Sequence, residues 1–144
     1  MISFKGYALA LFGILIVVVV FLPGAYAPDY QKFITQHYDN PKSSVGKNYC
    51  NTMMQRRGMT RPECKEVNTF IHGSKKKIIA VCGKGGEPYG AGLRRSKSKF
   101  SVTTCKHTGG SKRPPCKYRE NSSQRFIIVR CAGGKPVHYD EGHI

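Results

Sequence analysis

The chain contains no tryptophan and only eight acidic residues among 144, against 24 lysines and arginines, so its formal charge at pH 7 is +16. So few acids exclude a neutral or acidic binding module. The excess of positive charge favours polyanions: nucleic acid, heparan-type glycans or anionic membrane surfaces. No cysteine pair has CxxC spacing, and His72, His107 and His143 lie too far apart in sequence for a compact ligand set, so no metal site is expected. Internal repeats and low-complexity linkers are absent, and no long apolar run follows residue 22.

The one long apolar run lies at the start. Lys5 precedes an uncharged stretch from Ala8 to Leu22, Pro23-Gly24 ends it, and Ala25-Tyr26-Ala27 gives a small-x-small cleavage pattern. Residues 1–27 therefore read as a signal peptide, and the run falls short of the ~20 residues that span a bilayer, so no permanent membrane anchor is expected. Lys5 is the only charged residue in that segment, and the positive charge rests on residues 28–144. These form one domain, expected to be secreted and monomeric.

A domain of that size buries a modest share of its surface, and cross-links would help it. Six cysteines, Cys50, Cys64, Cys82, Cys105, Cys116 and Cys131, all follow the signal segment. An even count in a secreted chain predicts three disulfides, without saying which cysteines pair.

Apolar spacing predicts a helix over Asp29–Tyr38 with His37 near its end, and a second over Lys47–Arg57 with Tyr49, Cys50, Met53 and Met54 on one face and Gly58 as the stop. Val67–His72 reads as a strand, and Lys75–Cys82 fits either helix or strand. Phe100–His107, Arg125–Cys131 and Val137–Asp140 read as strands, the last two joined at Gly133-Gly134. This mixture predicts an α+β fold with an antiparallel sheet.

Three short motifs carry chemistry: Cys64-Lys65-Glu66-Val67-Asn68-Thr69-Phe70, Gln36-His37-Tyr38-Asp39 and Pro136-Val137-His138-Tyr139-Asp140. In this order and within a six-cysteine frame, they resemble the pancreatic-type ribonuclease A superfamily. Ile71-His72-Gly73, Ser96-Lys97-Ser98 and Pro114-Pro115-Cys116 extend the similarity toward its angiogenin branch. The resemblance covers nearly all of residues 28–144. It implies a ribonuclease A-like fold, about three short helices on a bent antiparallel sheet, with Lys75–Cys82 helical, a Gly83–Gly92 loop, and disulfides Cys50–Cys105, Cys64–Cys116 and Cys82–Cys131.

RNA carries its own nucleophile, the 2'-hydroxyl. A catalyst needs a base for that proton, an acid for the departing 5'-oxygen and a cation for the crowded phosphorus; two histidines and a lysine suffice without a cofactor. The resemblance assigns these roles to His37, His138 and Lys65. It gives phosphate binding to Gln36, base reading to Thr69 and orientation of His138 to Asp140. Glu141 stands where angiogenins carry a glutamine that obstructs the pyrimidine site, and Ala132 replaces a glutamate that contacts the second base. His72 and His107 are read as structural or surface groups.

Arg56-Arg57-Gly58-Met59 is similar to the arginine cluster that angiogenins use for nuclear import. Asn121-Ser122-Ser123 is an N-glycosylation sequon in an expected loop. RNA is the implied substrate and a leucine-rich cytosolic ribonuclease inhibitor an implied partner. The expected activity is weak cleavage 3' of pyrimidines through a 2',3'-cyclic phosphate, with roles in angiogenesis or host defence. The alternative is a non-catalytic cationic effector that binds glycans or microbial membranes.

Overall fold

A computed structural model describes residues 28–143; the predicted signal peptide lies outside them. Helix α1, Pro28–His37, has acidic Asp29 in its first turn, favourable for the helix dipole, and ends at His37. Helix α2, Tyr49–Arg56, buries the four predicted side chains. It begins two residues later than expected, because Asn48 adopts left-handed φ 61° and ψ 52°. Gly58, at φ 77°, stops it as predicted.

Strand β1 is Val67–Ile71. The ambiguous segment is helix α3, Lys75–Ala80, whose start is fixed by Ser74, its side chain accepting the Lys77 amide. The expected Gly83–Gly92 loop contains strand β2, Gly86–Pro88, which forms a hairpin with β3, Leu93–Ser96. Gly86 sits so close to α3 that a Cβ there would lie 2.0 Å from the Val81 carbonyl oxygen. Strand β4 is Phe100–His107, as predicted.

Strand β5, Tyr118–Arg125, was not expected. Its sequence YRENSSQR lacks apolar alternation because the strand is mostly solvent-exposed, and an eight-residue register with β4 holds it instead. Asn121 is therefore an exposed strand residue, not a loop residue. Strands β6, Ile128–Ala132, and β7, Lys135–Tyr139, meet at Gly133–Gly134, and a 3-10 turn over Glu141–His143 follows.

The antiparallel strands form two sheets, β1-β4-β5 and β2-β3-β6-β7. One core cluster joins Phe33 of α1, Ile78 of α3 and Ile71, Val102, Val129 and Tyr139 of the strands. A second joins α2 to Phe70 and Cys105. The disulfides are Cys50–Cys105, Cys64–Cys116 and Cys82–Cys131, as the resemblance implied. They close separations of 49 to 55 residues. At about 4 kcal/mol each in the chain-entropy account, they exceed what one buried apolar side chain contributes.

Candidate active site

Residues from four parts of the chain line a cleft of about 400 Å³: Gln36 and His37 from α1, Lys65 before β1, His138 from β7, and Asp140 and Glu141 after it. His37 is 4% exposed. Its ring stacks on Tyr139 at 5.1 Å and tilts against Phe33 at 5.2 Å. Nδ1 lies 2.8 Å from the Thr69 carbonyl oxygen, which only accepts, so Nδ1 carries the proton and Nε2 keeps its lone pair. Burial, then the neighbouring Lys65 ammonium, pushes the imidazole pKa down to about 3. His37 is thus neutral at physiological pH.

Lys65 is positioned by residues around it. Its amide bonds the carbonyl of Met59, and its Nζ donates to Asn68 Oδ1 at 2.8 Å and to Gln36 Oε1 at 3.5 Å. Asn68 Nδ2 donates in turn to the Gln36 carbonyl at 2.8 Å. One buried amide therefore ties the lysine to α1. Burial lowers the Lys65 pKa, partly opposed by Glu141.

Both Thr69 donors are occupied. Its amide donates to Glu141 Oε2 at 2.9 Å and its hydroxyl to Oε1 at 2.7 Å, while Thr104 Oγ1 lies 3.2 Å from the same hydroxyl. Burial raises the Glu141 pKa despite these bonds. Glu141 Oε2 is also 4.0 Å from His37 Nδ1, so one carboxylate bonds Thr69 and lies beside the histidine. Asp140 Oδ1 accepts the Gly142 amide at the foot of this turn.

The orientation of α1 depends on Arg57. Its Nη1 donates to the carbonyls of Thr35 at 2.7 Å and Tyr38 at 2.8 Å, and Nη2 lies 3.6 Å from Asp39. These are end carbonyls that the helix leaves unpaired. Asp39 also receives bonds from Ser43 and Tyr49, and His72 spans the Asp39 carbonyl and the Thr103 hydroxyl at 2.7 and 2.8 Å. Of the two roles read from the sequence, structural or surface, His72 takes the structural one. His107 packs on Tyr118 with Glu66 3.9 Å away.

The cleft gathers Gln36, His37, Lys65, His138, Asp140 and Glu141, with Thr69 bound at its edge through Glu141. The Arg56–Met59 stretch does not form one exposed signal. Arg56 is exposed, but Arg57 is committed to α1 and Met59 is 4% exposed. Sequence reading missed Asn68 and Tyr139 as site residues, although both stand inside the quoted motifs. Among the described residues, no three His, Cys, Asp or Glu side chains are placed to hold a metal ion, and no helix is long and apolar enough to cross a membrane.

A basic, three-disulfide α+β domain with two histidines and a lysine around one cleft defines the class. Residues 28–140 match the pancreatic ribonuclease family. Mouse (Mus musculus) angiogenin is 52% identical over 134 residues, covering 91% of this chain and 92% of its own. Pig (Sus scrofa) angiogenin is 57% identical over 117 residues, covering 80% and 78%. Green turtle egg white ribonuclease, a crystal structure, is 50% identical with a TM-score of 0.75, covering 78% of this chain and 97% of its own. The chain belongs to the pancreatic ribonuclease family, in its angiogenin-like branch, whose members are metal-independent endoribonucleases.

Proposed function

We propose that residues 28–144 act outside the cell as an endoribonuclease that cleaves RNA on the 3' side of pyrimidines, after removal of residues 1–27 as a signal peptide. The observation that carries the reading is a neutral His37 whose Nε2 lone pair shares one cleft with Lys65 and His138. His37 takes the proton of the 2'-hydroxyl, whose oxygen attacks phosphorus. Lys65 stabilises the charge gathering on the phosphorane oxygens, with Gln36 beside it. His138, oriented by Asp140, gives its proton to the 5'-oxygen as that P–O bond breaks, leaving a 2',3'-cyclic phosphate. Water then opens the ring slowly with the two histidines exchanging roles.

Thr69 reads the base, its amide and hydroxyl matching the edge of a pyrimidine. Glu141 competes for both groups, which supports low activity. Heparan-type glycans, a cytosolic ribonuclease inhibitor and nuclear or nucleolar uptake follow from charge and resemblance, and glycosylation at the exposed Asn121 from its sequon. The test is cleavage of a fluorogenic uridine-adenosine substrate by refolded residues 28–144 beside His138→Ala. Activity lost in the variant is expected. Activity absent from both folded proteins would favour the non-catalytic cationic effector.

A further inference from the structure

One face of sheet β1-β4-β5 changes character along its length. Ile71 and Val102 are register partners, both fully buried in the core cluster that holds Phe33. Two residues along, the pair Thr69 and Thr104 shares that face, and their hydroxyl oxygens lie 3.2 Å apart. Two further along, Val67 opposes Lys106 and Lys106 opposes Arg119, and both cations are exposed. The face therefore runs from core to open surface. Thr69 stands at the border, where Glu141 of the cleft bonds it.

Register extends the Thr69 row to the edge of the sheet. Thr104 opposes Asn121 of β5, the edge strand. Thr69, Thr104 and Asn121 thus form one row with their side chains on one face, and two strand spacings put its ends about 10 Å apart. Thr104 is buried between them, whereas Asn121 is exposed. Its neighbour Glu120 opposes Cys105 of the second core cluster and so takes the other face. Asn121 is also the asparagine of the one Asn-x-Ser/Thr sequon in the sequence. The three disulfides require an oxidising compartment, and the secretory route that supplies one also supplies the donor for N-glycosylation.

We propose that Asn121 carries an N-linked oligosaccharide that stands over the Thr69 end of the cleft and restricts entry of the pyrimidine. The proposal rests on the ribonuclease reading, in which Thr69 receives the base, and gives the sequon a role in it. In forming the link, the Asn121 side-chain nitrogen bonds C1 of the first sugar of a lipid-linked diphosphate oligosaccharide. The C1–oxygen bond to diphosphate breaks, the amide gives up one proton, and the lipid diphosphate leaves. A mostly exposed edge strand accommodates so bulky a substituent, which also covers the edge against strand addition. The sugars act by exclusion on the base. His37, Lys65 and His138 lie off this row, so the effect falls on KM and spares kcat.

The test secretes the full chain from mammalian cells that keep glycans in high-mannose form. Beside it are Asn121→Gln, Ser123→Ala, and Glu120→Asn combined with Asn121→Gln, which moves the sequon by one residue to the opposite face. Intact mass gives occupancy. Steady-state kcat and KM on uridine-adenosine are measured before and after endoglycosidase H, which leaves a single sugar. The parent is expected to be glycosylated, with KM several-fold above that of Asn121→Gln and Ser123→Ala and kcat unchanged. Ser123→Ala keeps the asparagine, so agreement of these two variants separates loss of the glycan from loss of the amide. Trimming should recover part of the difference, and the shifted glycan should leave KM at the unglycosylated value. An unoccupied Asn121, equal KM with and without its glycan, or the same rise from the shifted glycan would overturn the proposal. Failure of the folded, unglycosylated Asn121→Gln protein to cut the dinucleotide would remove the ribonuclease reading itself, and this proposal with it.

Discussion

Glu141 holds Thr69 by both of its donors, the amide at 2.9 Å and the hydroxyl at 2.7 Å. A carboxylate with two acceptor oxygens satisfies the same N–H and O–H that the proposed function gives to a pyrimidine edge. On the proposed reading, substrate would have to displace a charged, partly buried side chain before Thr69 could bond its base. Charge-assisted bonds of this kind are each worth about 1.5–3 kcal/mol.

Glu141→Gly is accordingly expected to raise kcat/KM on uridine-adenosine about tenfold, the equivalent of about 1.4 kcal/mol. Glu141→Gln retains an acceptor without the charge and should lie between parent and glycine variant. A glycine variant no faster than the parent would count against the obstruction.

His37 gives stability a defined pH dependence. Its folded-state pKa, about 3, lies below the ordinary 6.5, so between these values the unfolded chain binds a proton that the folded protein refuses. The group's contribution is fully present above pH 6.5 and is lost as pH falls through that window, with a slope of up to about 1.4 kcal/mol per pH unit. Urea midpoints from pH 7 to pH 4 should fall more steeply for the parent than for His37→Gln. Equal slopes would show that the imidazole is protonated in the folded state.

Asn68→Ala removes the buried amide that joins Lys65 to Gln36. The lysine keeps its charge but loses its 2.8 Å partner, so loss should appear at the transition state. A fall in kcat of about 10- to 100-fold with little change in KM is expected. An increase confined to KM would mean that Asn68 serves substrate binding instead.

Two glycine substitutions separate crowding from backbone conformation. Gly86→Ala would force a Cβ to within 2.0 Å of the Val81 carbonyl oxygen, parting β2 from α3 at a cost of about 3 kcal/mol or more. Gly90→Ala meets nothing within 4 Å, but its φ is +81°, and about 1 kcal/mol is expected. Urea unfolding of the two proteins should preserve that order.

The parts legible in the sequence were those where one short segment carries its own signal. The apolar face of α2, the alternation in β4 and the glycine pair before β7 all fall where periodicity and turn chemistry put them. Strand β5 was hidden because its partner, not its composition, makes it a strand; eight register pairs with β4 hold a mostly exposed polar segment. The pattern of Lys75–Cys82 fits helix or strand, the resemblance implied helix, and the Ser74 cap shows what starts it. The motifs supplied the cleft histidines and Lys65, whereas Asn68 and Tyr139 act through contacts with residues about 30 and 100 positions away, 32 for Asn68 with Gln36. Such partners follow from tertiary packing, which no local pattern specifies.

The guanidinium of Arg57 that closes the end of α1 changes how a cellular experiment on this chain should be designed. Replacing the whole dibasic pair would disturb the seat of the helix bearing Gln36 and His37 along with any address the pair displays. A fluorescent protein excluded from nuclei after that double replacement would report damage and misrouting together. Arg56, exposed beside it, is the position at which trafficking can be probed while the helix stays anchored.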